Sequence, residues 1–184
     1  MIKLVLESIY FFLPAYLANS AASLSAKTPY LKEVSHPLDF GLKLKNRRVL
    51  GGHKTWRGLV CGVLSGLISG WIQTKLFEFD FFQSISTCDY TDLDFVLRLS
   101  FLLGFGALFG DAAKSFFKRR IGIKPGKSWP PFDQLDIVFG GLLFSRLVFP
   151  IPLANMLVIF LVTPFLMLGS NVISYFLHLK NVWY

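Results

Sequence analysis

The sequence predicts an all-α integral membrane protein, one membrane-embedded domain over residues 1–184 with five transmembrane helices and its N-terminus outside. Three observations predict it. Of the 184 residues, 53% are hydrophobic, 20 of them Phe, and the mean hydropathy is +0.53. Soluble domains hold about 45–50% apolar residues with Gly counted in, and this chain passes that before its 15 Gly are added. Charged residues make up only 16%, against an ordinary ~25%. Long apolar stretches alternate with short charged loops, the pattern of a multi-spanning bundle. Water-soluble enzymes, disordered chains and coiled coils are excluded as classes.

The first expected span, residues 4–24, carries one charge, Glu7. It is long enough to cross a hydrocarbon layer of ~30 Å. Its Ala18-Asn19-Ser20-Ala21 also suits a cleaved signal peptide, but Lys3 alone is a weak positive start and Glu7 follows it, so a retained helix is expected. The second span, about 58–77, places Gly58, Gly62, Gly66 and Gly70 in one slanting stripe with Ser65 and Ser69 beside it. Small residues every four positions let another helix approach closely, within the chain or across a homodimer seam. A third span covers about 95–113, and a short fourth about 135–149. Residues 151–179 then run 29 positions without a formal charge, enough for a tilted helix with a possible kink at Pro164.

Loop charges set the expected orientation. Residues 25–57 hold eight Lys/Arg against Glu33 and Asp39, and residues 111–136 hold six against three Asp. Residues 75–98 hold Lys75 and Arg98 against five acids. The positive-inside rule places the two basic loops in the cytoplasm, both on the side where the polar chemistry collects. This distribution accounts for the net charge of +8 without a nucleic-acid partner. Cys61 and Cys88 lie far apart and the three histidines are scattered, so neither zinc nor disulfide architecture is expected. There is no internal repeat.

Four groups of residues could carry chemistry. Gly122-Ile-Lys-Pro-Gly126-Lys127-Ser128 falls one Gly short of a phosphate-binding P-loop, since Ile121 stands at the first Gly position and no strand precedes it. Its amides and lysines can still cradle phosphate in another fold. Asp111, Asp133 and Asp136 form a second group. Carboxylates among many cations suit Mg²⁺ shared with a polyphosphate, while Asp133 and Asp136, three apart, equally suit a helix N-terminus. The third group is the basic run Lys118-Arg119-Arg120, Lys124, Lys127. It suits anchoring to anionic headgroups, yet it lies between the candidate metal ligands. The fourth is Gly51-Gly52-His53-Lys54-Thr55-Trp56-Arg57-Gly58, where paired glycines permit close approach to backbone amides and Trp56 suits the membrane interface.

In their order these pieces resemble the CDP-diglyceride synthetase (phosphatidate cytidylyltransferase) superfamily. The resemblance rests on Gly110-Asp111, Ser115, Lys118-Arg119, Lys124, Pro130-Pro131 and Asp133-Gln134-Leu135-Asp136, with the upstream Lys54-Thr55-Trp56-Arg57-Gly58. Pro-Pro-Phe-Asp-Gln-Leu-Asp and the opening segment 13–19 are similar to the archaeal branch, the CDP-archaeol synthases. Bacterial-type members carry Lys-Asp, His-Gly-Gly and Asp-Arg where this chain has Lys124-Pro125, Trp129-Pro130-Pro131 and Asp133-Gln134.

The resemblance implies transfer of CMP from CTP to an ether-lipid phosphate, 2,3-bis-O-geranylgeranylglycerol 1-phosphate, with release of pyrophosphate, in a multi-pass protein of the cell membrane. It implies Mg²⁺ held by Asp111, Asp133 and Asp136, with Lys118 beside them in the catalytic set. Lys54, Thr55, Ser115, Arg119, Lys124 and Lys127 would bind the phosphates and nucleotide. The competing class is a small cation transporter or channel using the rim aspartates. A CDP-alcohol phosphotransferase would need Asp-Gly-x-x-Ala-Arg, which is absent.

Overall fold

The computed structural model describes residues 1–26, 35–44, 47–124, 127 and 129–176. Lys27, Lys32, Glu33 and Lys45 of the first basic loop, Pro125, Gly126 and Ser128 of the second, and the expected continuation of the last span to 179 lie outside the described residues.

The elements run α1 (Ile2–Ser25), β1 (Lys43–Leu44), β2 (Arg47–Arg48), α2 (Trp56–Leu76), α3 (Asp80–Ser84), α4 (Leu93–Arg120), α5 (Phe132–Ser145) and α6 (Leu153–Phe176). Helix α1 continues through Pro14, whose missing N–H leaves the Tyr10 carbonyl without its helical donor. Gln73 of α2 supplies it, Nε2 donating to Tyr10 O at 2.6 Å. In an apolar layer each such replacement counts, because water cannot provide it.

The glycine stripe of α2 is used inside the chain. A methyl group at Gly62 would meet Ala18 O and Leu108 at 2.7 Å, and one at Gly66 would meet Ser100 O at 3.3 Å. The stripe therefore seats α2 against α1 and α4, and the homodimer seam loses its basis in that surface. Phe11, Phe12 and Ala15 of α1, Leu99, Leu103 and Ala107 of α4, Ile137, Val138 and Leu142 of α5, and Ile159 of α6 close the core with Ile151. Helix α6 runs beside α1 through Asn155 Nδ2 to Ser8 Oγ at 3.2 Å and Tyr16 OH with Thr163 Oγ1 at 2.7 Å. Its Leu157, Leu161 and Phe165 stay exposed, as expected of a lipid-facing surface.

Among the described residues four helices, α1, α2, α4 and α6, are long and apolar enough to cross a membrane, where five were expected. The fourth expected span, 135–149, is shorter still as a helix: α5 has 14 residues, about 21 Å of rise. Pro150 and Pro152 follow it, and proline cannot continue a helix interior. The chain nonetheless follows α4 along its length. Phe144 packs on Phe105 and Phe109 at 5.4 and 5.3 Å, and Phe149 on Phe95, in the first turn of α4, at 6.3 Å. Helix α4, with 28 residues, spans about 42 Å. That exceeds the apolar layer, and the surplus is its polar C-terminal end.

The all-α expectation needs one correction, a two-stranded antiparallel ribbon pairing Lys43 with Arg48. Its carbonyls are tied to the end of α4: Arg120 donates to Leu44 O and to Arg48 O, each at 2.8 Å. Arg47 returns a bond to Arg120 O at 3.1 Å.

Candidate active site

Three segments converge at the C-terminal end of α4. The first is the loop before α2. Thr55 caps that helix, its Oγ1 accepting from Gly58 N at 3.1 Å, which fixes Lys54 just outside the first turn. Lys54 Nζ there forms an ion pair with Asp111 Oδ2. The loop is organised by the buried Asp39. Its carboxylate accepts from the backbone N–H of Gly41 (3.0 Å), Leu50 (3.0 Å) and Gly51 (3.3 Å) and pairs with Arg48 at 3.1 Å. Burial alone would raise the Asp39 carboxyl, but these donors outweigh it and hold it below its ordinary value. Gly51 takes φ +105°, a backbone angle that favours glycine.

The second segment is α4 itself, which puts Asp111, Lys114 and Lys118 on one face at i, i+3 and i+7. The third is the start of α5, brought into backbone contact with α4 by glycines. A methyl group at Gly110 would overlap Asp136 O, and one at Gly140 would overlap Gly106 O.

The result is a ring of three carboxylates about one ammonium. Lys114 Nζ lies 3.1 Å from Asp111 Oδ1, 3.1 Å from Asp133 Oδ1 and 2.6 Å from Asp136 Oδ2. Lys118 extends the network, 3.0 Å from Asp133 Oδ1 and donating to Lys127 O at 2.6 Å. Asp133 also accepts from Trp129 N, and Asp136 Oδ1 from Ile137 N at 2.7 Å. No side chain caps the N-terminus of α5, so the helix-cap use of Asp133 and Asp136 gives way to the ring.

A polar cavity of about 260 Å³ opens beside the ring, lined by Lys54, Lys114, Lys118, Arg119 and Lys127 with Asp111, Asp133, Ser115 and Gln134. Leu50, Gly51 and His53 close one side, and Met167 and Asn171 of α6 the other. Five cations face two carboxylates, the balance a polyphosphate needs. An apolar groove of about 560 Å³ lies between α4 and α5, lined by Phe109, Ala113, Phe117, Trp129, Phe132, Phe139 and Leu143. Lys114 borders both spaces, and Asp136 borders the groove.

Of the residues singled out in the sequence, Asp111, Asp133, Lys54, Ser115, Lys118, Arg119 and Lys127 line the polar cavity. Ser115 also returns its hydroxyl to Asp111 O at 2.9 Å. Thr55 lies on an adjoining groove with its oxygen committed to the helix cap. Lys124 is exposed on the turn after α4, apart from the cavity lining. Lys114 was missed, although its spacing from Asp111 and Lys118 is a readable signal. The contributions of α6 carry no such signal in a charge-free span.

The donor set suits Mg²⁺, which takes hard oxygen ligands, and the Lys114 ammonium stands where a cation would be held. The ring is spaced for that ammonium. Its 2.6–3.1 Å contacts exceed the ~2.0–2.1 Å of Mg–O bonds, and among the described residues no three acidic, His or Cys side chains stand at metal-ligand spacing.

Comparison with known proteins gives concordant likenesses. The family model described as CarS-like, CDP-archaeol synthase, matches residues 1–184. A CDP-archaeol synthase of Methanocaldococcus jannaschii is 40% identical over 183 residues, covering 99% of this chain and 98% of its own. One from Pyrococcus furiosus is 35% identical over 179 residues, with 97% of each chain covered. A solved structure of an intramembrane enzyme for archaeal membrane lipids biosynthesis is similar at a TM-score of 0.72 and 30% identity, covering 91% of this chain and 94% of that one.

Proposed function

The chain belongs to the CarS-like family of CDP-archaeol synthases, and from that membership we propose that it transfers CMP from CTP to 2,3-bis-O-geranylgeranylglycerol 1-phosphate and releases pyrophosphate. The observation that carries the reading is the cation-rich cavity adjoining an apolar groove, with Lys114 bordering both. A water-soluble nucleotide and a lipid phosphate can meet at such a border. A transporter reading is not favoured: ionisable groups in transporters usually sit near the midplane between repeated halves, whereas these acids gather at one end of α4 and are paired with lysines.

A phosphate monoester with a second pKa of ~6 is already largely ionised at pH 7, so the attacking oxygen needs no strong general base. The obstacle is repulsion between two polyanions. Lys54, Lys118, Arg119 and Lys127 would take the triphosphate oxygens and hold the α-phosphorus in line with the lipid phosphate. The lipid chains would lie along Phe109, Phe117, Phe139 and Leu143, reached sideways from the bilayer. Asp111, Asp133 and Asp136 would hold Mg²⁺, which when bound supplies further neutralisation of the attacking, transferred and leaving phosphates.

The reading includes five crossings, the fourth made by α5 together with residues 146–152, with the N-terminus outside and the cavity facing the cytoplasm. The contact of Phe149 with Phe95 and the cation excess of the two loops support it. The test is to incubate the purified protein with CTP, Mg²⁺ and the ether-lipid phosphate. A CDP-lipid by mass spectrometry with stoichiometric pyrophosphate is expected. Neither product from active-site-intact, folded protein would overturn the assignment.

A further inference from the structure

We propose that Lys114 is a tethered cation that holds the Asp111–Asp133–Asp136 ring together until a divalent cation takes its place. The lysine and the metal would thus compete for one set of carboxylates. The inference deepens the function proposed above and rests on its metal part. One ammonium sits within 3.1 Å of carboxylates from two helices. Asp111 has a second cation in Lys54, and Asp133 has one in Lys118. Asp136, its side chain 4% exposed, has Lys114 as its one ion-pair partner among the described residues.

A buried carboxylate without a partner charge is costly. Without Lys114 the approach of α5 to α4 would put three acids together against two remaining lysines. The lysine therefore stabilises the metal-free ring, but with one charge and contacts too long for a metal. A divalent ion offers two charges and draws oxygens closer. The flexible four-carbon stem of a lysine lets its ammonium swing out of the ring once a divalent ion replaces its three contacts. Since Lys114 borders the polar cavity, its displaced ammonium would emerge where the triphosphate is held. The same group would then change from a counter-ion of the acids to a partner of the substrate.

The test uses the full chain in detergent, without nucleotide or lipid. Mn²⁺ binding is followed by electron paramagnetic resonance, and thermal unfolding is recorded with and without Mg²⁺, for the wild type, Lys114→Met and Lys114→Arg. The Met variant should bind Mn²⁺ roughly tenfold tighter or better, since a competing like charge is gone. It should melt below wild type in the absence of divalent ions and gain more from Mg²⁺ than wild type does. The Arg variant, which keeps the charge, should keep the weak binding and the small gain.

A measurement on unaltered protein stands beside these. Acetylation of Lys114, quantified against the exposed Lys75, should rise several-fold when Mn²⁺ is added. Equal Mn²⁺ affinities with parallel thermal gains would make Lys114 a permanent ion pair and overturn the proposal. So would unchanged labelling under saturating Mn²⁺, even if the Met variant fails to fold. Absence of Mn²⁺ binding in every protein would overturn it together with the metal assignment, and CDP-lipid formation by wild type would then show whether cytidylyl transfer stands without it.

Discussion

The weight of the site falls on single charged groups whose partners come from other elements. Asp111, Asp133 and Asp136 each face a lysine at close range, so replacing any of them with Asn preserves volume while removing one charge from a balanced set. Turnover is expected to fall by roughly two to three orders of magnitude, with normal extraction and gel-filtration behaviour, measured as CDP-lipid formed per enzyme. Asp39 acts one step further out, holding the loop that carries Gly51 and Lys54. Its carboxyl is lowered from the ordinary value. A group lowered on folding contributes stability that is fully present above the unfolded pKa of ~3.9 and is lost as pH falls through the folded value. Asp39→Asn should therefore melt below wild type at neutral pH, and the difference should close as the pH falls from ~4 through the lower folded pKa. Melting curves across that range measure it. A gap that persists unchanged in acid would mean that the carboxylate charge is not what organises the loop.

Among the elements, the α4–α5 pair controls the geometry, because backbone contact at Gly106, Gly110 and Gly140 sets how far Asp136 stands from Lys114. Gly140→Ala is expected to force the helices apart, costing about 1–3 kcal/mol. The loss of activity should exceed the loss of folded protein at the assay temperature. Thermal melts and turnover on the same preparation separate the two. Much of this arrangement was legible in advance. The apolar runs marked α1, α2, α4 and α6, and the order of Asp111, Lys118, Asp133 and Asp136 marked residues that the fold brings together at one end of α4. What escaped depends on tertiary contact. The ribbon of β1 and β2 has strands too short for any period, and Arg120 fastens it from 72 to 76 residues away. The use of Thr55 as the cap of α2, its Oγ1 accepting from Gly58 N, depends on where that helix begins. The fourth span is short already in its apolar run, and its helix ends earlier still, at Ser145, ahead of Pro150 and Pro152.

For the whole molecule, function depends on which end of the bundle meets the nucleotide. The ring, the cavity and the basic ribbon gather at one end. At the other, Tyr10, Ile85, Tyr90 and Val96 form a separate aromatic cluster under a loop that carries Glu78, Asp80, Asp89 and Asp92. Lipid-surface electrostatics favour the basic end inside, so a reagent outside the cell should reach the acidic loop and miss the turn after α4. The native Cys88 is a poor reporter. Burial pushes the Cys88 thiol up to about 11, and the thiolate is the reactive form. Single cysteines at exposed Glu78 and Lys124, in a chain with Cys61 and Cys88 replaced by Ser, avoid this. With a membrane-impermeant maleimide on intact cells, Glu78→Cys should be labelled at once, and Lys124→Cys only after the membrane is opened. The reverse pattern would put the cavity on the face away from CTP, and an enzyme that draws its nucleotide from the cytoplasm could not be arranged that way.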